Sequence, residues 1–170
     1  MSALLVGNLT GRFRRRARRL EVWLPRVAQE QMAQEISEAE PDETGGILLG
    51  YEALEEEAVV VTALVGPGPN SKASRAHFDP DGEWQEKEVA RIYEASGRRA
   101  TYLGDWHSHP KGLARPSWKD QRTARSIAEF REARMSNPLM LIVATSESGF
   151  RFAAFRYFHG KLRRVALRVH

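Results

Sequence analysis

Thr101-Tyr102-Leu103-Gly104-Asp105-Trp106-His107-Ser108-His109-Pro110 reads as a strand that runs into two histidines separated by one residue. Six residues later, Pro116-Ser117-Trp118-Lys119-Asp120 has the form of a helix start, and helical spacing continues to about Arg131. Pro138-Leu139-Met140-Leu141-Ile142-Val143-Ala144 follows, apolar at every position, as a strand buried on both faces must be. Strand, helix and central strand in that order place this segment in a domain that mixes helices with a sheet.

The flanking sequence extends the same pattern. Leu20-Glu21-Val22-Trp23-Leu24 alternates as a strand does, and Pro25 opens a helix with Ala28, Met32, Ile36 and Ala39 on one face. Gly46–Gly50 and Ala58–Val65 are short apolar runs, read as two buried strands joined by an acidic turn. Gly66-Pro67-Gly68-Pro69-Asn70 is a loop by composition. Asp79-Pro80 is expected to cap and open a second helix, with Val89, Ile92 and Tyr93 facing inward and Gly97 ending it. Phe150–Phe158 and Lys161–Val169 form a hairpin that turns at His159-Gly160. The expected fold is one α/β or α+β domain over residues 20–170, a mixed sheet with three helices, without internal repeats.

Composition narrows the class. A chain of 170 residues with a mean hydropathy of -0.49 suits one soluble globular domain, and no apolar run approaches transmembrane length. Residues 1–19 carry Arg12, Arg14, Arg15, Arg16, Arg18 and Arg19 and read as a flexible arginine-rich arm. Their apolar patch, Ala3–Val6, is too short for a secretory signal and precedes the arginines. With no cysteine there are no disulfides, thiol nucleophiles or thiolate metal sites, which fits a cytoplasmic protein. The net charge of +4 is uneven, with the arginines crowded at the start and acids dominating later, and no basic face with interleaved aromatics suggests a nucleic-acid binder.

Residues i and i+2 of a strand point to one side, so His107 and His109 can converge on one ion if the strand continues past Trp106. The pair alone also fits two unrelated surface histidines, or a core histidine with a satisfied hydrogen bond. Ser117-x-x-Asp120 is a capping box, and a capping role accounts for both residues. Asp120 also heads the series Ala124, Ile127, Ala128, which puts it on the buried face of its own helix. A carboxylate there is costly unless paired or coordinated. His, His and Asp are ligands that a catalytic zinc uses when it keeps a position open. Such a site needs a proton acceptor, and Glu43, in Glu43-Thr44-Gly45-Gly46 before a buried strand, is one acid among many by chemistry alone. Asp105 shares the histidines' parity and reads either as an imidazole-orienting partner or as a solvent-facing acid. His77 reads as a groove-lining or surface residue, His159 as a turn residue and His170 as the chain end.

Glu43-Thr44-Gly45-Gly46-Ile47-Leu48-Leu49-Gly50, His107-x-His109-Pro110 and Pro116-Ser117-x-x-Asp120, with ten residues between His109 and Asp120, together resemble the JAMM motif of the JAB/MPN metallopeptidases. The likeness runs from about Leu20 to the C-terminus. Gly104-Asp105-Trp106 ahead of the histidines is closest to the stand-alone bacterial branch. The resemblance implies a curved mixed sheet between helices, with Zn²⁺ held at one edge by His107, His109 and Asp120. It implies Glu43 as the group that activates water and Ser117 as a hydrogen-bond donor to the developing oxyanion. The implied activity is hydrolysis at the C-terminal tail of a ubiquitin-like protein or its conjugate. Bacterial relatives serve beside E1/E2-like partners in anti-phage CBASS-type operons, and others in the family process sulfur-carrier proteins.

Competing readings meet obstacles in the sequence. A non-catalytic MPN scaffold characteristically loses ligands, whereas every motif position is filled here. Other His-x-His hydrolases resemble (β/α) barrels, for which 170 residues are too few. A nucleobase deaminase of the usual form requires cysteines that this chain lacks.

Overall fold

A computed structural model describes residues 20–75 and 77–170, so the arginine-rich arm lies outside the described residues. The chain starts with β1 (Glu21–Leu24), α1 (Arg26–Ala39), β2 (Gly45–Ala53) and β3 (Ala58–Val65). A small hairpin follows, β4 (Lys72–Ser74) and β5 (His77–Asp79), then α2 (Gly82–Ala95). β6 (Thr101–His109), α3 (Trp118–Glu129), β7 (Leu139–Ser146), β8 (Gly149–Phe158) and β9 (Lys161–Val169) complete it.

Seven strands form one mixed sheet in the order β1-β3-β2-β6-β7-β8-β9, curved so far that β1 also pairs with β9 and closes a barrel. Contacts β1–β3, β1–β9 and β6–β7 are parallel and the rest antiparallel. Parallel β6 and β7 require a crossover, and α3 supplies it. The first turn of α3 therefore follows the C-terminal end of β6 after one loop, which brings the two halves of the candidate site together.

Strand alternation divides the core. In β7, Leu139, Leu141 and Val143 join Val22, Leu48, Val59, Val61 and Trp106 around the α1 residues Met32 and Ile36. Met140 and Ile142 face the other way and pack with Phe155, Tyr157, Leu162 and Ala124 of α3. α2 covers a third cluster, where Val89, Ile92 and Trp84 pack against Leu49, Val65 and Ala100. Burying Met32 and Ile36 completely contributes about 1.5–3 kcal/mol each, enough to hold α1 against the sheet.

Two departures from the expected elements touch the site. α2 is capped by Asp81 rather than Asp79, because the Asp81 carboxylate accepts the Trp84 amide at 3.2 Å and the Asn70 side chain at 2.8 Å. Asp79 instead belongs to β5, and the short, exposed β4–β5 pair lacks an apolar alternation that would mark it in sequence. The register of β2 on β6 also shifts by one residue at Leu103, between the pairs Leu48–Gly104 and Leu49–Tyr102. Gly104 makes this bulge possible. Its φ is 147°, and a Cβ there would lie 2.0 Å from the Leu139 carbonyl oxygen. The bulge puts Tyr102 on the same side as Asp105, and the Tyr102 hydroxyl donates to Asp105 Oδ1 at 2.9 Å.

Candidate metal centre

β6 continues through His109, so its parity holds beyond Trp106. Trp106 points into the core, while His107 and His109 face a cleft between the sheet, the β4–β5 hairpin and the start of α3. Asp120 reaches the same point from α3. Its Oδ1 lies 3.3 Å from His107 Nε2 and its Oδ2 lies 3.5 Å from His109 Nε2. The two Nε2 atoms are 3.0 Å apart, and one donor atom from each of the three residues falls within 4.8 Å of the others.

These groups are held in place from behind. His109 Nδ1 lies 2.9 Å from the Leu113 carbonyl oxygen, an acceptor that fixes the proton on Nδ1 and leaves Nε2 with its lone pair towards the cleft. Both halves of the capping box are present. Ser117 Oγ accepts the Asp120 amide at 3.2 Å, and the Ser117 amide donates to Asp120 Oδ2 at 2.6 Å. The cap and the carboxylate's aim are thus one structure, as the sequence pattern allowed. Burial alone would raise the Asp120 pKa, but hydrogen bonds from His107 and His109 outweigh it and hold the carboxyl well below the usual range. His109 is shifted up, chiefly by its hydrogen bond to Asp120. An N, N, O donor set with one anionic member and lone pairs converging on a common point fits a divalent cation.

Glu43 is half-buried and lines the cleft, as do Ser117, Asp105 and Tyr102. The cleft encloses about 740 Å³. Glu43 stands just before β2, whose Gly45 lies opposite His107 in the β2–β6 ladder. A Cβ on Gly45 would sit 2.5 Å from the Trp106 carbonyl oxygen, so glycine is what lets the two strands approach here. Asp105 is pushed up to about 6 by burial, which the Tyr102 hydroxyl and His107 only partly offset. Its hydrogen-bond partner is Tyr102, and no bond from Asp105 to an imidazole occurs among the described residues.

The remaining histidines stand apart from the cluster. His77 is exposed on β5, 3.4 Å from Lys119 Nζ, and His159 occupies the β8–β9 turn with φ 47°. The His170 ring meets Trp23 edge-on. Sequence reasoning missed Ser108, which is fully buried between the two histidines and bonds to Thr44. Its signal was a polar residue at the same inward parity as Trp106. The Leu113 carbonyl carried no sequence signal, since any residue supplies one.

Residues 25–156 match the family of prokaryotic homologs of the JAB domain. This chain belongs to that family. The JAB domain here is 37% identical over 123 residues to a probable metalloprotease of Sinorhizobium fredii, covering 72% of this chain and 74% of that one. It is 33% identical over 122 residues to a CD-NTase/cGAS isopeptidase of Enterobacter hormaechei, covering 71% of this chain and 65% of the relative. A solution structure from Desulfitobacterium hafniense shares the fold, with a TM-score of 0.68 at 21% identity, covering 88% of this chain and 92% of that one. The JAB membership makes this a metallopeptidase-class protein, and the fold meets the expectation of a curved mixed sheet with three helices. No described helix is long and apolar enough to cross a membrane.

Proposed function

We propose that this JAB-domain protein is a zinc-dependent isopeptidase or peptidase that cuts the bond at the C-terminal tail of a ubiquitin-like protein. The observation that carries the reading is the convergence of His107, His109 and Asp120 on one point of a cleft also lined by Glu43 and Ser117. Relatives named CD-NTase/cGAS isopeptidase support a conjugate as substrate. On this reading the partners are the conjugate, or a tail-extended precursor, and the E1/E2-like enzymes that make it.

His107 Nε2, His109 Nε2 and one Asp120 oxygen are the atoms that would hold Zn²⁺. A bound zinc supplies Lewis acidity at the scissile carbonyl and a nucleophile from water at neutral pH. Glu43 takes the proton released as water attacks the carbonyl carbon, then returns it to the leaving nitrogen as the C–N bond breaks. The Ser117 hydroxyl oxygen is occupied as an acceptor for the Asp120 amide, so its own hydrogen remains available to the developing oxyanion. Leu113 and the Ser117 amide keep His109 and Asp120 oriented throughout.

The substrate tail would lie extended along the cleft and pair through its main chain. The seven-stranded barrel is closed, so the candidate for such pairing is the separate two-stranded β4–β5 sheet, whose Phe78 lines the cleft. A slim, glycine-like terminus suits main-chain pairing close to the histidines. The test is a ubiquitin-like protein with a reporter amide at its C-terminus, followed by mass spectrometry. The expected product ends at the last tail residue. A zinc-loaded protein that cuts no such tail would move the function to a binding role on the same fold.

A further inference from the structure

The β2–β6 ladder ends in an unusual way beside the site. Continuing the pair Gly45–His107 outward places Thr44 opposite Ser108. Opposed residues of this kind ordinarily exchange two backbone hydrogen bonds. One is present, from the Ser108 amide to the Thr44 carbonyl oxygen at 2.8 Å. The return bond leaves the backbone, and the Thr44 amide donates instead to Ser108 Oγ at 2.9 Å. One residue earlier, the Glu43 amide points away from β6, as alternation along the strand requires, and donates to the Ser74 carbonyl oxygen of β4 at 3.0 Å.

Ser108 therefore closes the Thr44 end of the β2–β6 ladder half through its backbone and half through its hydroxyl. It is fully buried and Thr44 is nearly so, hence water cannot replace the bond if the hydroxyl is removed. The side chain fixes the separation between a segment that carries Glu43 and a strand that carries His107 and His109. Glu43 faces the same side of the ladder as those histidines, because strand alternation puts residues 43 and 45 on one side and 44 on the other.

We propose that Ser108 is a positioning residue for Glu43. By taking the Thr44 amide on its hydroxyl, it ends the ladder at the step that turns Glu43 into the cleft. The inference rests on Glu43 being the proton acceptor. It concerns the distance between acceptor and cation, not the cation's retention. An error of about 1 Å in such a placement can cost on the order of a hundredfold in rate.

The experiment compares Ser108→Ala, Ser108→Thr and Ser108→Cys alone and in a Glu43→Gln background. Ser108→Ala is expected to keep zinc stoichiometry and KM, to lower kcat by about tenfold or more, and to speed hydrogen exchange at the Thr44 amide. Ser108→Thr, which keeps the hydroxyl, should recover rate and amide protection. Ser108→Cys keeps the buried volume with a weaker acceptor, so it should fall between and serves if the alanine variant does not fold. In the Glu43→Gln background the Ser108 substitutions should cost nothing further, because their effect passes through Glu43. Undiminished loss in that background, or unchanged Thr44 exchange in Ser108→Ala, would overturn the proposal while leaving Glu43 as base. Full activity in Glu43→Gln alone would instead remove the base assignment, and the positioning role with it.

Discussion

His107 Nε2 and His109 Nε2 stand 3.0 Å apart. The Leu113 carbonyl oxygen can only accept, so it keeps a proton on His109 Nδ1 and leaves Nε2 as the atom turned towards His107 and Asp120. Such a contact needs a proton or a cation at its centre. The Asp120 carboxylate beside both rings shifts His109 up, and, against its burial, hydrogen bonds with the two rings hold Asp120 down. A divalent cation at this point would bind the deprotonated ligands, so its affinity should fall as pH is lowered.

Asp120→Asn separates the carboxylate's two roles. The amide oxygen can still accept the Ser117 N–H and keep the start of α3. The charge that joins the histidines is lost. Zinc affinity should fall by more than the roughly 10–100-fold that losing an outer partner costs, with helix content unchanged. Calorimetric titration with zinc, beside circular dichroism, checks both halves.

Glu43→Gln should bind zinc as the parent does, fold as the parent does, and lose about a hundredfold or more in kcat. The amide keeps the shape of the side chain and removes its basicity. Steady-state rates at matched zinc content decide it, and a rate near the parent's would make Glu43 an ordinary loop acid.

Ser117→Ala removes an N-cap and an oxyanion donor together. The cap is worth about 1 kcal/mol of stability, whereas losing an oxyanion donor costs on the order of 10²–10³ in kcat. Unfolding free energy and kcat should therefore fall by very different factors. Equal factors would assign Ser117 to the helix alone.

Much of this arrangement was legible before any coordinates, for reasons that differ by element. The buried runs in β3 and β7, the Met32 and Ile36 spacing of α1 and the His159-Gly160 turn follow local periodicity and turn chemistry, and the structure keeps them. His107 and His109 share a side by strand parity, and Asp120 joins them because α3 crosses directly from β6 to β7. What could not be read depends on distant backbone. β4–β5 has no buried face to leave a pattern, and Asp81 outcompetes Asp79 as a cap through Asn70 and Trp84. The Leu103 bulge, which turns Tyr102 towards Asp105, reflects the fit of Gly104 against Leu139. Ser108 has a role that depends on Thr44, 64 positions away, which no local pattern reveals.

Glu35 gives a pH-dependent test of the packing behind Thr44. Burial first and Glu38 second push its carboxyl pKa up, partly offset by the Thr44 hydroxyl. The folded protein thus holds this proton more tightly than the unfolded chain. The resulting stability is fully present below the ordinary carboxylate pKa and is lost as pH rises through the raised value. Glu35→Gln removes that loss, so its unfolding midpoint should exceed the parent's at pH 7 by more than at pH 4. A constant difference across that range would show that Glu35 ionises alike in both states.

The central claim is that His107, His109 and Asp120 form one metal centre and that hydrolysis depends on it. The most direct measurement is zinc content by elemental analysis, taken with hydrolysis of a ubiquitin-like tail fusion, for the parent and for His107→Ala with His109→Ala. The account predicts about one zinc per chain in the parent, cleavage abolished by chelation and restored by zinc, and neither zinc nor cleavage in the double variant. A double variant that retained full zinc content, or cleavage indifferent to chelation, would contradict it.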